Sequence, residues 1–216
     1  MAHVFKVYRI LPDLFHIQFG SKFLMNMHFW RAFTPFNQTF IDFMEEYVAN
    51  SGKNYFTFTA DYHGFFFDKE VYDSKYTKII DRNKYDDNVK AIDEKLCIEH
   101  PKYNCIVSCS KSGLSLFKHE IAHYLFDCND AYKCDTLKAL ESMDGNVLGA
   151  LQSHMAELGY VGTETFILSE IQAHLATGFD IKPSIKNINK YIRVFRSIFK
   201  QHFQLLKFQK EYLFAG

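Results

Sequence analysis

Residues 112–126 constrain the fold more than any other part of the chain. Leu114, Leu116, Phe117, Ile121, Ala122, Tyr124, Leu125 and Phe126 fall on every side of a helix read over Ser112–Phe126. A helix that is apolar nearly all round belongs in an interior. Yet this one also carries His119, Glu120 and His123. Burying three such side chains without partners is costly. The fold must therefore bring polar partners, or a metal ion, to that helix.

Four further helical segments can surround it. They are Ala131–Met143, Val147–Leu158 ending at Gly159, Thr165–Thr177 stopped by Gly178, and Ser184–Phe208 just after Pro183. The last carries an apolar stripe of Ile185, Ile188, Ile192, Phe195, Phe199 and Leu206, with Lys186, Lys190, Arg193, Arg196, Lys200 and Lys207 around it. It reads as a core helix with a solvated basic face; a membrane-surface or partner-binding helix is the alternative.

The first half has a different period. His3–Ile10 and Leu14–Phe19 read as strands about the Pro12-Asp13 turn, Asn37–Asn50 as a helix stopped by Ser51-Gly52, and Tyr55–Ala60 as a strand. Phe65–Phe67 and Val71–Ile79 add candidate strands, Asp86–Leu96 a short helix, and Tyr103–Ser108 another strand. Phe65–Phe67 could line an apolar specificity pocket, though core packing accounts for it as well. The expected class is α+β: a small N-terminal mixed sheet to about residue 110, then a mainly helical half, within one domain over 1–216. Any boundary is expected near Ile98–Lys102.

Composition narrows the function. The chain has 216 residues, is 48% hydrophobic, and balances 25 Lys and Arg against 25 Asp and Glu. That is enough for a sizeable core. Zero net charge argues against nucleic acid as a partner. No apolar run is long enough for a membrane span. The N-terminus lacks the pattern of a cleaved leader, so a cytoplasmic location, or export without a cleaved signal peptide, is expected. The five cysteines contain no CxxC pair and read as reduced thiols, mostly buried. A monomer is expected.

The chemistry lies in His119-Glu120-Ile121-Ala122-His123. An HExxH on a helix puts two imidazoles one turn apart on one face, where both can reach one tetrahedral Zn²⁺. Glu120 between them can take a proton from a water that the metal acidifies. Glu170 and His174 form a second pair, at i and i+4 on the Thr165–Thr177 segment, and Glu170 follows His123 by 47 positions. Rivals for a third ligand are His154, Glu157, His174, Glu141 and Glu164.

Lys118–Phe126 resembles the HE(I/L)AH core of the zincin metallopeptidases. The resemblance is local to this helix and, less fully, to the Glu170 helix. The metzincin continuation fails, since Phe126 stands at its glycine position and Asn129 at its third histidine. The aspzincin pattern fails at Phe166. A deformylase-like cysteine ligand, Cys105 or Cys109, lies too close in sequence. What remains is a gluzincin-like arrangement, which implies Zn²⁺ on His119, His123 and Glu170, with Glu120 as general base. The related ExxxD pattern is ExxxH here, so the usual second Asp is missing, and Asp127 or Asp130 is left as a candidate to orient a ligand histidine. The resemblance also implies an oxyanion donor, for which His174 is preferred over Tyr160, Tyr124 and Tyr191.

It further implies that an edge strand binds extended substrate, Tyr55–Ala60 or Tyr103–Ser108 being the candidates. The expected activity is zinc-dependent hydrolysis of a protein or peptide substrate. Similarity to small bacterial effector proteases suggests a host-cell target, actin being one by analogy. Hydrolysis of a non-peptide amide or of peptidoglycan, or a non-catalytic binding protein with a structural HExxH, are the alternatives.

Overall fold

The Pro12-Asp13 turn folds Phe5–Leu11 (β1) back on Leu14–Phe19 (β2) as an antiparallel hairpin, with Leu11 opposite Leu14. The computed structural model describes residues 4–34, 38–51, 55–77, 79, 81–160, 162–181 and 184–216. These residues form a five-stranded mixed sheet and ten α-helices, an α+β architecture. The expected strand start at His3, helix start at Asn37, stop at Gly52 and breaker at Pro183 lie outside the described residues. The chain divides into two compact units, Met1–Ser112 with Phe208–Gly216, and Gly113–Lys207.

In the first unit Gly64–Asp68 (β3), Asn104–Cys109 (β4) and Glu211–Ala215 (β5) complete the sheet in the order β3-β4-β2-β1-β5. Only β2 and β4 pair in parallel. Residues 105–109 of β4 are all buried, as expected for a strand covered on both faces. Phe15, Ile17 and Phe19 of β2 join Val7, Val107 and Phe67 in the main core.

Helices Lys22–Phe29 (α1), Phe40–Ser51 (α2), Phe58–Asp61 (α3), Lys69–Tyr76 (α4) and Lys84–Cys97 (α5) accompany the sheet. Local chemistry sets their starts. Ser21 caps α1 and Asp68 caps α4, while Asn83 and Asp86 form a reciprocal capping box on α5. Trp30, Phe43 and Phe58 make a separate aromatic cluster with Phe40, Tyr47, Phe56 and Tyr62 around it. Beside it Arg31 donates to both carboxylate oxygens of Asp86, at 2.8 and 3.0 Å.

The second unit is helical: Leu114–Cys128 (α6), Asp130–Glu141 (α7), Gly145–Glu157 (α8), Glu164–Thr177 (α9) and Ile188–Phe203 (α10). Residues 119–126 of α6 are all buried, matching its apolar circumference. α6 packs on α7 and α9, and α9 also packs on α8 and α10. Buried Gln172 ties three of these helices together: its Nε2 donates to Ala122 O at 3.2 Å, and its Oε1 accepts from the Tyr132 hydroxyl at 2.7 Å. Gly178 ends α9 in the left-handed region at φ 72°, where a Cβ would also meet Arg196. Among the described residues, no helix is long and apolar enough to cross a membrane.

The structure corrects several expectations. Tyr55–Ala60 is not a strand: Phe58 opens α3, and its alternating rings pack into the aromatic cluster instead of pairing. Val71–Ile79 is not a strand either, because the Asp68 cap commits Lys69–Tyr76 to α4. β4 has partners on both sides, so Tyr103–Ser108 offers no open edge for substrate. Phe67 is core. The last helix ends at Phe203 rather than Phe208, and the chain then returns to the sheet as β5, so strands do not all precede helices. Ile98–Lys102 lies inside the first unit, which runs on to Ser112. The six basic residues named around the last helix are all exposed. Only Cys105 and Cys109 of the five cysteines are buried.

Candidate metal centre

Two helices of the second unit build the site. α6 carries His119, Glu120 and His123, all buried, and α9 carries Ser169, Glu170 and His174, buried as well. The i to i+4 spacing on α6 sets the two imidazoles one turn apart, with their Nε2 atoms separated by 3.2 Å. Across from them, Glu170 Oε2 lies 3.6 Å from His119 Nε2 and 3.5 Å from His123 Nε2. His174 Nε2 approaches the same oxygen at 3.8 Å. One ligand atom each from His119, Glu170 and His174 falls within 4.8 Å of the others. The rings of His123 and His174 both stand edge-on to that of His119, each with a centroid separation of 4.8 Å.

One contact of this convergence, between the Nε2 atoms of His119 and His123, is at hydrogen-bond distance, but those to Glu170 are not. The separations from Glu170 Oε2 exceed the range of a good N–H···O bond. His119 Nδ1, Glu170 Oε2 and His174 Nε2 are buried with no hydrogen-bond partner among the described residues. Buried polar atoms are nearly always paired, so Glu170 Oε2 and His174 Nε2, 3.8 Å apart, call for an explanation.

The outer contacts are specific. His123 Nδ1 lies 2.9 Å from the Ser169 hydroxyl, and His174 Nδ1 lies 2.6 Å from the carbonyl oxygen of Phe179. A carbonyl only accepts, so His174 carries its proton on Nδ1. The electrostatics follow from burial and from one carboxylate. Burial drives His119 down to about 4 and is the main cause that lowers His174. Burial also opposes charge on His123, but the Glu170 carboxylate outweighs it and pushes His123 up to about 9. Burial works to raise Glu170; His123 and His119 overcome it and hold the carboxyl below the usual carboxylate range.

Of the expected site residues, His119, His123, Glu170 and His174 come together, and Glu120 lies on α6 next to His119. The other rivals sit elsewhere. His154 Nε2 pairs with Asp180 O at 2.8 Å, and Glu157, Glu141 and Glu164 are exposed. Tyr191 is committed to α8, accepting from the Asp144 backbone N–H at 3.0 Å, while the Tyr160 ring lies beside His174. Ser169 contacts the outer nitrogen of His123, and the charge of Asp127 also acts on that ring. With Nδ1–H held by Phe179 O, His174 could act as the oxyanion donor only with a second proton, on Nε2. Sequence reading missed Ser169 and Gln172; their places beside Glu170 on a buried helix were the available signal. Compared with protein-family models, with curated proteins and with solved structures, the chain finds no match in any of the three.

Proposed function

We propose that this protein is a gluzincin-like zinc endopeptidase, with its second unit a zincin-like catalytic half. His119, His123 and Glu170 hold Zn²⁺, and Glu120 is the general base. One observation carries the reading: the buried atoms His119 Nε2, His123 Nε2 and Glu170 Oε2 stand 3.2, 3.5 and 3.6 Å apart, and Glu170 Oε2 has no hydrogen-bond partner among the described residues. Zinc bonds of about 2.0–2.1 Å in a tetrahedron put neighbouring donors about 3.4 Å apart. The donor set, two imidazoles and a carboxylate, is also one that zinc accepts.

A zinc ion held there would polarise a peptide carbonyl and lower the pKa of water towards neutrality. Glu120 takes the proton of the attacking water and passes it to the amine nitrogen as the C–N bond breaks. Ser169 fixes the ring of His123 from behind, and Gln172 holds α9 against α6 so that Glu170 stays opposed to the two imidazoles.

The test is hydrolysis of a peptide library and of denatured protein by the zinc-loaded chain, wild type against Glu120→Gln. The wild type should cleave, and Glu120→Gln should keep its zinc but lose roughly 100-fold to 10,000-fold in rate. Equal cleavage by the two would remove Glu120 as the base. A non-catalytic zinc-holding protein is the second reading. It is favoured by the presence of a further buried donor, His174, since a closed set of four protein ligands is the mark of structural zinc.

A further inference from the structure

We propose that His174 is a fourth ligand to the same ion, and that it closes the resting centre until substrate displaces it. This rests on the zinc reading above and adds a state of the site that the HExxH pattern does not supply. His174 is fully buried, and its Nδ1–H is anchored on Phe179 O at 2.6 Å. That anchor leaves the Nε2 lone pair as the only polar function on the inner edge of the ring. Nε2 has no hydrogen-bond partner among the described residues and lies 3.8 Å from Glu170 Oε2, inside the 4.8 Å cluster with His119. A metal-ligating imidazole habitually has its other nitrogen hydrogen-bonded to a carbonyl, and His174 has that arrangement.

His174 is also the one of the four whose departure leaves the HExxH pair and Glu170 in place. His119, His123 and Glu170 are 3.2 to 3.6 Å apart, whereas His174 stands farther out, 3.8 Å from Glu170. The water that Glu120 deprotonates, or a substrate carbonyl, would compete with His174 for one coordination position. Its release needs no proton transfer, because Nδ1 already carries the proton in both states.

The first measurement uses the unmutated chain: long-range ¹H–¹⁵N spectra of the histidine side chains, without and with one equivalent of zinc. His119, His123 and His174 should all move to metal-bound nitrogen shifts. If His119 and His123 move and His174 stays at the shift of a bare ring nitrogen, the inference is overturned and the three-ligand reading stands. If none of the three moves, both fall.

The second measurement is zinc affinity and X-ray absorption of His174→Ala and His174→Gln. Affinity should drop at least about 10-fold, and the imidazole count per zinc should fall from three to two. Added imidazole should restore the third scatterer in His174→Ala but leave the wild type unchanged. Two imidazoles in the wild type would overturn the inference even if both variants fail to fold.

Discussion

His16 makes the stability of the first unit depend on acid. It sits on β2, with Nε2 2.8 Å from the Ser108 hydroxyl of β4. Burial, with help from the charge of Lys210, pushes its pKa from 6.5 down to about 4. In the unfolded chain the ring takes a proton near pH 6.5, and in the folded unit only near pH 4. The contribution is therefore fully present above pH 6.5, is lost as pH falls from 6.5 to 4, and changes no further below that. A tenfold change in proton affinity is worth about 1.4 kcal/mol, so the loss from this one ring is roughly 3 kcal/mol. The perturbation is His16→Gln, which can keep a hydrogen bond to Ser108 and does not titrate. The assay is urea unfolding between pH 7 and pH 4, followed by the fluorescence of Trp30. This is the single tryptophan of the chain, and it is buried in the same unit. Wild type should lose roughly 3 kcal/mol more than His16→Gln across that interval. Parallel pH profiles for the two proteins would refute the argument.

Two further outcomes follow from named contacts. Asp86→Ala removes the buried carboxylate of the Arg31 pair, with side chains 5% and 0% exposed, leaves the guanidinium only the half-exposed Asp81, and also opens the α5 capping box; it should cost about 3 kcal/mol in the same urea assay, and Arg31→Met with Asp86→Leu should recover much of that. Ser169→Ala removes the partner of His123 Nδ1 and should weaken zinc binding roughly 10-fold to 100-fold in a chelator competition, with the helical content unchanged.

The sequence was most legible where local chemistry and tertiary packing agree. The helices read over Thr165–Thr177 and Val147–Leu158 lie within a residue or two of α9 and α8, because Thr163 and Asp144 cap them and glycine follows each. Leu14–Phe19 matches β2, whose apolar face meets the sheet core. Legibility failed where one pattern serves two structures. The alternation in Tyr55–Ala60 has the period of a strand, but its rings fill gaps around Trp30 and Phe43. Lys22–Phe29 went unread as α1, and nothing local signalled that Glu211–Ala215 would pair with β1, since that pairing joins the two ends of the chain. At the site, His119 and His123 were fixed relative to one another by helix spacing alone. Glu170 was one of several candidates until α9 was placed on α6. The role of His174 depended on a hydrogen bond to a main-chain carbonyl five residues on, which no side-chain motif encodes.

Zinc content per chain tests the central claim most directly. Elemental analysis of protein expressed with zinc supplied should give near one zinc in wild type and in Glu120→Ala. It should give none in His119→Ala, and a reduced amount in Glu170→Ala and Glu170→Gln. Absence of zinc from the wild type, or full zinc in both Glu170 variants, would contradict the account.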